Sequence, residues 1–171
     1  MPEPAGEIVI RRATRADLPA IGRLGARLVQ THHDFDPKRF IPATGRTERG
    51  YASFLGTQLD RPEVAVLVAV QDGQVIGYTY AGIEDVDWMA LRGPAGVLYD
   101  IVVDPDHRRR GVGRLLLEAT IAELRSARAP QVVLSTAERN ERAQRLFESA
   151  GFRRTMVEMT RDLDDPDQRG S

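Results

Sequence analysis

Residues 97–116 read VLYDIVVDPDHRRRGVGRLL, and this segment contains the clearest structural signals of the chain. Its first part, 97–103, is rich in β-branched and aromatic residues and predicts a strand that ends at Asp104-Pro105. Gly111 and Gly113 then open a long helix with regularly spaced apolar positions. The first amides of a helix have no partner inside it, and the helix dipole adds partial positive charge there. A strand, an arginine-rich loop and a helix start, in this order, therefore suit the binding of a phosphate or pyrophosphate.

Two common phosphate-binding motifs do not fit this junction. A P-loop needs Lys-Ser or Lys-Thr after its last glycine, whereas Gly113 is followed by Arg114-Leu115. A dinucleotide fingerprint needs a third glycine where Leu116 stands. An ordinary solvated loop is the alternative for the three arginines at 108–110, and the adjoining glycines and helix start favour a ligand instead.

The hydrophobic pattern on either side predicts alternating strands and helices. Upstream, Thr14 and Asp17 form a helix N-cap signal, Thr31 to Gly45 has no regular period, and Asp72-Gly73 is a strong hairpin turn. Downstream, Asn140 caps a short helix that Gly151 stops. The predicted strands are 7–12, 64–70, 75–83, 97–103, 131–136 and 152–160, with helices starting near 14, 46, 112 and 140. The order β-α-α-β-β-β-α-β-α-β predicts an α/β domain with a mixed sheet.

Composition limits the possible functions. The 171 residues predict a single domain over 1–171, with loose tails at 1–6 and 162–171. With 24 positive and 25 negative side chains, the chain has no general attraction for nucleic acid or anionic lipid. The absence of cysteine excludes a thiol nucleophile, disulfides and thiolate metal ligation. Without a leader-like N-terminus or an apolar run of about 20 residues, we expect a cytoplasmic protein without nucleic-acid or membrane partners.

The stretch His32-His33-Asp34-Phe35-Asp36 has the residue types of a metal site but not the spacing of one. Only His107 supplies a third imidazole elsewhere, and metal sites need ligands spaced on a rigid frame. We therefore expect no metal, and a substrate-pocket loop or a surface turn at 31–45.

Three motifs together resemble the GNAT superfamily of acyl-CoA-dependent N-acyltransferases. Arg108-x-x-Gly111-x-Gly113 is similar to the family's (Arg/Gln)-x-x-Gly-x-(Gly/Ala) signature, and the preceding strand resembles the family strand at that position. The segment 140–152, with Asn140, Ala143 and Leu146-Phe147 ahead of Gly151-Phe152, resembles the family's Asn…Ala…Leu-Tyr-x-x-x-Gly-Phe. The stretch 12–21 resembles the common first helix. The resemblance covers most of residues 8–160 and implies a GNAT-like mixed β-sheet flanked by helices.

By this resemblance, acetyl-CoA is the expected co-substrate. The backbone of Ile101, Val102 and Val103 would bind the pantetheine arm, and one of these amides would polarise the thioester carbonyl. Asn140, Ala143 and Phe147 would lie along the other side of the arm. The pyrophosphate would be held by Arg108, Arg109, Arg110, Gly111, Val112, Gly113 and Arg114. Phe147 departs from the family, because many members carry there a tyrosine that protonates the leaving thiolate.

The acceptor would be a small-molecule or peptide amine, which must lose a proton before it attacks. Strict alternation places Val97, Tyr99 and Ile101 on one face of their strand, and Leu98 and Asp100 on the other. In the family the first of these faces the acceptor, so Tyr99 is the first candidate for the base, and Asp100 is assigned to structural hydrogen bonding. Glu84, Asp87 and His33 are alternatives that we expect on loops. The acidic residues at 84, 85 and 87 would favour a cationic acceptor.

The implied function is an N-acetyltransferase that works by direct attack in a ternary complex. A covalent acyl-enzyme is not expected, because the chain has neither cysteine nor a Gly-x-Ser-x-Gly elbow. A non-catalytic acyl-CoA-binding sensor or docking module is the alternative, which Phe147 keeps open. Homodimers are common among such proteins, so the resemblance also implies a homodimer.

Overall fold

The computed structural model describes residues 6–163, in which five strands and four α-helices form one mixed sheet with helices on both faces. The elements are β1 (Val9–Arg12), α1 (Leu18–Phe35), α2 (Thr47–Gln58), β2 (Val64–Gln71), β3 (Gln74–Glu84), β4 (Ala95–Val103), α3 (Val112–Ser126), β5 (Val132–Leu134) and α4 (Glu141–Ser149). The predicted tails at 1–6 and 162–171 lie almost entirely outside the described residues.

The sheet follows chain order, β1-β2-β3-β4-β5, with antiparallel neighbours up to β4 and a parallel pair β4–β5. The β2–β3 hairpin turns at Asp72 and Gly73, whose φ angles of +49° and +75° belong to the left-handed region that such turns require. The parallel pair arises because α3 carries the chain back across the sheet between β4 and β5. The predicted α/β class and mixed sheet are confirmed.

Each face of the sheet buries one helix layer. On one face, α1 and α2 contribute Ile21, Leu24 and Leu55, which pack on Tyr78 and Val102 of the sheet. On the other face, α3 and α4 cover the rest of the sheet with apolar side chains that include Val112, Leu116, Leu117, Leu124 and Phe147. The site described below therefore lies at the end of β4 with a separate helix layer on each side.

The last predicted strand, 152–160, is wrong. Phe152 is partly buried against α4, but the residues after it are exposed and extended without a sheet partner among residues 6–163. Side-chain ion pairs hold the segment, one of them between Arg39 and Glu158. An alternating pattern forms a strand only where a neighbouring edge can pair with it, and that edge is a property of the tertiary structure.

The irregular loop predicted for 31–45 begins later than expected. Helix α1 continues to Phe35, so His32 and His33 lie in its last turn rather than in a loop. The Nδ1 atom of His32 lies 2.9 Å from the carbonyl oxygen of Leu28, one helical turn earlier. Glu84 was also expected on a loop and is instead the last residue of β3, paired with Ala95.

Candidate active site

A cavity of about 260 Å³ opens where β4 and β5 diverge. The two strands pair over only three residues each, Gly96–Leu98 with Val132–Leu134, and then separate. One wall consists of β4 residues, Leu98 to Ile101, and the opposite wall is formed by Ser135 and Thr136 with Asn140, Ala143 and Phe147. Helices α1 and α2 and the loop between them close the third side with Leu28, Val29, His32, Phe40, Ile41 and Tyr51.

Beyond Leu98, the edge of β4 toward the cavity has unpaired amides. The amide of Asp104 donates 2.8 Å to the carbonyl oxygen of Ile76, on the β3 side. Because successive amides of a strand point to opposite edges, the amide of Val102 also points to β3, and those of Ile101 and Val103 point to the open edge. Of the three backbone groups predicted to bind an acyl-CoA arm, Ile101 and Val103 can therefore offer a donor.

A β-bulge in β4 changes which side chains share a face. Tyr80 pairs with Asp100 and Ala81 with Leu98, so Tyr99 is the extra residue. As a result, Tyr99 and Asp100 both point to the face covered by α1 and α2: the Tyr99 ring lies 4.6 Å from that of Tyr80, and Asp100 contacts Tyr78. The strict alternation that separated Tyr99 from Asp100 is wrong, because a bulge adds one residue to the period.

Asp100 is the carboxylate of the cavity. Its Oδ2 accepts a 3.0 Å hydrogen bond from Tyr78 Oη, and the phenol of Tyr51 is a second donor. Burial raises the pKa of Asp100, while these two hydrogen bonds and the nearby imidazole of His32 act in the opposite direction. Asp100 is thus the structural hydrogen-bond acceptor that the sequence predicted, but it also lines the cavity. Strict alternation along β4 did not predict this second role, because the bulge changes the face to which Asp100 points.

Tyr99 lines the cavity as predicted, but its phenol is not suited to act as a base. Its Oη donates 2.6 Å to Oε1 of Glu84, and burial followed by this hydrogen bond raises the pKa of Tyr99. Arg92 in turn donates 2.6 Å to Oε2 of Glu84 and lies 3.7 Å from Asp87. The Asp87 carboxylate also accepts bonds from the amides of Ala90 and Met89, which lower its pKa. Glu84 and Asp87 are therefore occupied in holding the β3–β4 connection.

Of the two neighbouring histidines, the structure brings His32 and not His33 to the cavity. His33 lies 2.8 Å from the carbonyl oxygen of Phe40 through Nδ1 and ties the loop after α1 to the helix. The ring of His32 packs edge-on against Phe40, with centroids 5.1 Å apart. The helical period would have distinguished the two side chains if α1 had been extended to Phe35 in the sequence analysis.

The junction before α3 forms a concave turn. Arg109 and Gly111 both adopt positive φ, +61° and +77°. The first full helical hydrogen bond of α3 runs from the Leu115 amide to the carbonyl oxygen of Gly111, so the amides of 112–114 have no partner in the helix. This arrangement matches the anion site predicted from the sequence.

Arg142 adds to the positive charge that Arg108, Arg109 and Arg110 bring to this turn. Arg142, on the first turn of α4, has a lowered pKa because of burial and then of the charges of Arg108 and Arg109. Within residues 6–163, no carboxylate forms an ion pair with Arg108, Arg109, Arg110 or Arg142. A cluster of like charges without a counter-ion is suited to an anionic ligand. Arg142 was not among the residues predicted from the sequence, because its approach to the loop depends on how α4 packs.

The predicted residues of α4 lie on the far wall of the cavity. Asn140 Oδ1 accepts a 3.2 Å bond from the Ala143 amide as the helix N-cap, which leaves the Asn140 side-chain amide for other contacts. Phe147 is buried, and its ring packs at 5.9 Å from that of Phe152. A phenyl ring there can form a wall but cannot donate a proton.

Two further kinds of feature are absent from residues 6–163. No helix there combines the length and apolarity that crossing a bilayer requires. No group of three or more side chains with metal-ligating atoms is placed to hold a metal ion in that range.

Solved structures with this fold include enzymes that act on amines. A mutant of the BH1408 protein from Bacillus halodurans superposes with a TM-score of 0.76 at 23% identity, over 91% of this chain and 99% of that one. The aminoglycoside N-acetyltransferase AAC(6')-Iy, in complex with CoA, superposes with a TM-score of 0.71 at 22% identity, over 95% of this chain and 99% of that one. At these identities the likeness concerns the fold.

Sequence comparison identifies the family. A mycothiol acetyltransferase of Thermobispora bispora is 38% identical over 96 residues, which are 54% of this chain and 31% of that protein. The chain thus spans about a third of the length of the mycothiol acetyltransferase that it matches. The profile of the Acetyltransferase (GNAT) family matches residues 27–152, more than half of the chain. The signature at the start of α3 and the profile match lead to the same conclusion: the chain belongs to the GNAT family of acetyltransferases.

Proposed function

We propose that the protein is an acetyl-CoA-dependent N-acetyltransferase that transfers the acetyl group to a primary amine by direct attack in a ternary complex. The observation that carries this proposal is the sequence of three features at the end of β4: the turn with free helix-start amides before α3, the open-edge amides of Ile101 and Val103, and the Asp100 carboxylate in the cavity. These features are suited, in that order, to a pyrophosphate, a pantetheine arm and an ammonium.

The residues present fit acetyl-CoA. The helix-start amides at 112–114, and the charges of Arg108 and Arg142, which have no carboxylate partner in the described part of the chain, suit the phosphates. The open-edge amides of Ile101 and Val103 suit the carbonyl groups of the pantetheine arm, in the manner of an added strand. The structural neighbour AAC(6')-Iy was solved with CoA, which supports this assignment.

Asp100 is the proposed general base. An amine arrives as an ammonium, and a carboxylate accepts its proton better when burial has raised the carboxyl pKa toward neutrality. Asp100 takes the proton directly or through one water. The amine nitrogen then attacks the thioester carbon while a β4 amide donates to the developing oxyanion. The C–S bond breaks, the attacking nitrogen gives its second proton to water, and the thiolate takes a proton from the same solvent, since Phe147 has none to give.

Phe147 supports a second candidate, a non-catalytic acyl-CoA-binding module. Such a protein would bind acetyl-CoA at the same turn and release no thiol with any amine. Thiol release therefore separates the two functions, whereas binding alone does not.

Calorimetric titration of acetyl-CoA into three proteins tests the cofactor site. A Cβ atom on Gly113 would lie 3.4 Å from Leu146 Cδ2 and 3.7 Å from Val103 Cγ2, so Gly113→Ala fits as the matched control. Gly113→Glu places a carboxylate at the anion site and is expected to weaken binding at least about tenfold, because like charges repel at a helix N-terminus. Equal binding by Gly113→Glu and the wild type would contradict the assignment.

A further inference from the structure

We infer that the acceptor is a compact primary amine with one aromatic or branched aliphatic group, no carboxylate and no second positive charge. This inference rests on the proposed function and names the substrate class of the same cavity. It is carried by the side chains that line the acceptor side, toward α1 and α2.

Asp100 sets the charge of the acceptor side of the cavity. Among the described residues that line the cavity, Asp100 is the only carboxylate, and neither arginine nor lysine is present. Asp100 is a buried carboxylate whose hydrogen bonds come from neutral phenols, Tyr51 and Tyr78. The basic side chain on the described wall is the His32 imidazole, so the carboxylate lacks the permanent counter-charge of an arginine or lysine. A single ammonium at Asp100 supplies it.

A carboxylate on the acceptor would find neither arginine nor lysine on the described wall, and the His32 imidazole there already contacts the Leu28 carbonyl oxygen through Nδ1 and the ring of Phe40. Arg39, near the mouth of the cavity, lies over the Phe40 ring at 4.8 Å and forms an ion pair with Glu158, and it does not line the cavity. A desolvated carboxylate without a cation is strongly disfavoured. Amino acids and other α-carboxylated amines are therefore excluded as good acceptors.

A second ammonium on the acceptor would also have no partner. In the acidic stretch at 84–87, which suggested a cationic acceptor, Glu84 and Asp87 already have partners within the protein. Glu84 binds Tyr99 and Arg92, and Asp87 binds Arg92 and two backbone amides. Asp85 is exposed and outside the cavity wall. Diamines and polyamines gain nothing from their additional charge here.

The remaining wall is apolar and limits the size of the acceptor. Leu28, Val29, Phe40 and Ile41 lie opposite the rings of Tyr51 and Tyr99. A cavity of about 150 Å³ holds benzene. The cavity of about 260 Å³ must also receive the acetyl thioester, so one ring-sized or branched group fills what is left.

Matched amine pairs test this inference by kcat/KM for thiol release from acetyl-CoA. 2-Phenylethylamine against L-phenylalanine differs by the carboxylate, and the branched amine 3-methylbutylamine against 2-methylbutane-1,4-diamine differs by the second ammonium. In each pair we expect the first compound, which lacks the additional charge, to have a kcat/KM at least about 30-fold higher than the second. Equal rates within a pair, or preference for the amino acid or the diamine, overturn the inference and leave the proposed function standing. If acetyl-CoA binds and no amine is turned over, the proposed function fails, and the inference fails with it.

Two variants locate the selectivity in the wall. Ile41→Arg adds a cation at an exposed wall position, 76% accessible, so folding is not at risk. It is expected to reduce the ratio of kcat/KM for 2-phenylethylamine to that for L-phenylalanine at least about fivefold, because the new arginine can pair with the carboxylate of L-phenylalanine. Asp85→Asn, the matched control outside the cavity, should leave both ratios unchanged. An unchanged ratio in Ile41→Arg, or a changed one in Asp85→Asn, contradicts the inference.

Discussion

Oη of Tyr78 donates a 3.0 Å hydrogen bond to Oδ2 of Asp100, across the β3–β4 pair at the edge of the cavity. Tyr78 is fully buried, and burial raises the pKa values of both groups. The carboxylate is therefore held in a fixed orientation, but at an energetic cost when it is charged. The first prediction follows from this combination.

Asp100→Asn is expected to stabilise the fold at neutral pH and to abolish most amine acetylation. The sign follows from the raised pKa: the protonated form is favoured on folding, and this contribution disappears as the pH rises through the folded-state pKa. The neutral amide of asparagine removes the cost of burying a charged carboxylate. The gain in unfolding free energy over the wild type should therefore be larger at pH 7, where the carboxylate is more often charged, than at pH 4. Denaturant titrations at both pH values measure it. A variant that is less stable at pH 7 than the wild type would refute the argument.

Gly25→Ala is expected to destabilise the protein by about 1–3 kcal/mol through overpacking. A Cβ atom there would lie 2.2 Å from Cδ1 of Tyr51, which must then move from its place beside Asp100. Gly50→Ala is the control: it lies in α2 with nothing within 4 Å, and it should stabilise by about 0.5–1 kcal/mol. Thermal and chemical denaturation should give opposite signs for the two variants. The same sign for both would contradict the close contact with Tyr51.

Asp17→Asn is expected to cost about 1–2 kcal/mol at pH 7 and little at pH 2. Arg11 donates two hydrogen bonds of 2.8 and 2.9 Å to Asp17, which lower its pKa to about 2, and the Thr14 amide adds a third. A lowered pKa means that the stabilisation is present above the unfolded pKa and lost as the pH falls toward 2. Asp60→Asn, from the exposed pair with Arg15, should cost less than about 0.5 kcal/mol. A loss for Asp17→Asn that does not depend on pH would exclude the ion pair as its cause.

Arg142→Ala is expected to weaken acetyl-CoA binding about 3- to 10-fold and to reduce its salt dependence. Its charge adds to those of Arg108 and Arg109 without a carboxylate partner in the described part of the chain. Arg145→Ala is the matched control on the same helix, where Arg145 pairs with Glu141 in solvent. Calorimetry at two salt concentrations makes the comparison. Equal losses for the two variants would mean a nonspecific effect of charge.

Local chemistry made much of this molecule predictable. The hairpin at Asp72-Gly73, the cap at Asn140 and the helix start at Gly111 depend on residues within a few positions of one another, and all three are found in the structure. The order of elements up to α4 and the turn with free helix-start amides before α3 follow from the same short-range rules. The family resemblance added the expected co-substrate and the role of each wall of the cleft.

Long-range pairing decided the rest. The strand expected at 152–160 pairs with no edge of the sheet in residues 6–163, and the side-chain parity of β4 changes at Tyr99 because the β3–β4 pair contains a bulge there. The environment of Asp100 is assembled by Tyr51 and Tyr78, which lie on different elements and far from it in sequence. Sequence by itself determined the helices and strands up to α4 and the helix start with its free amides, because turns, caps and periodicity act over a few residues. Only the tertiary structure determined which carboxylate faces the cavity and how it is charged, since register, burial and distant hydrogen-bond donors all come from packing.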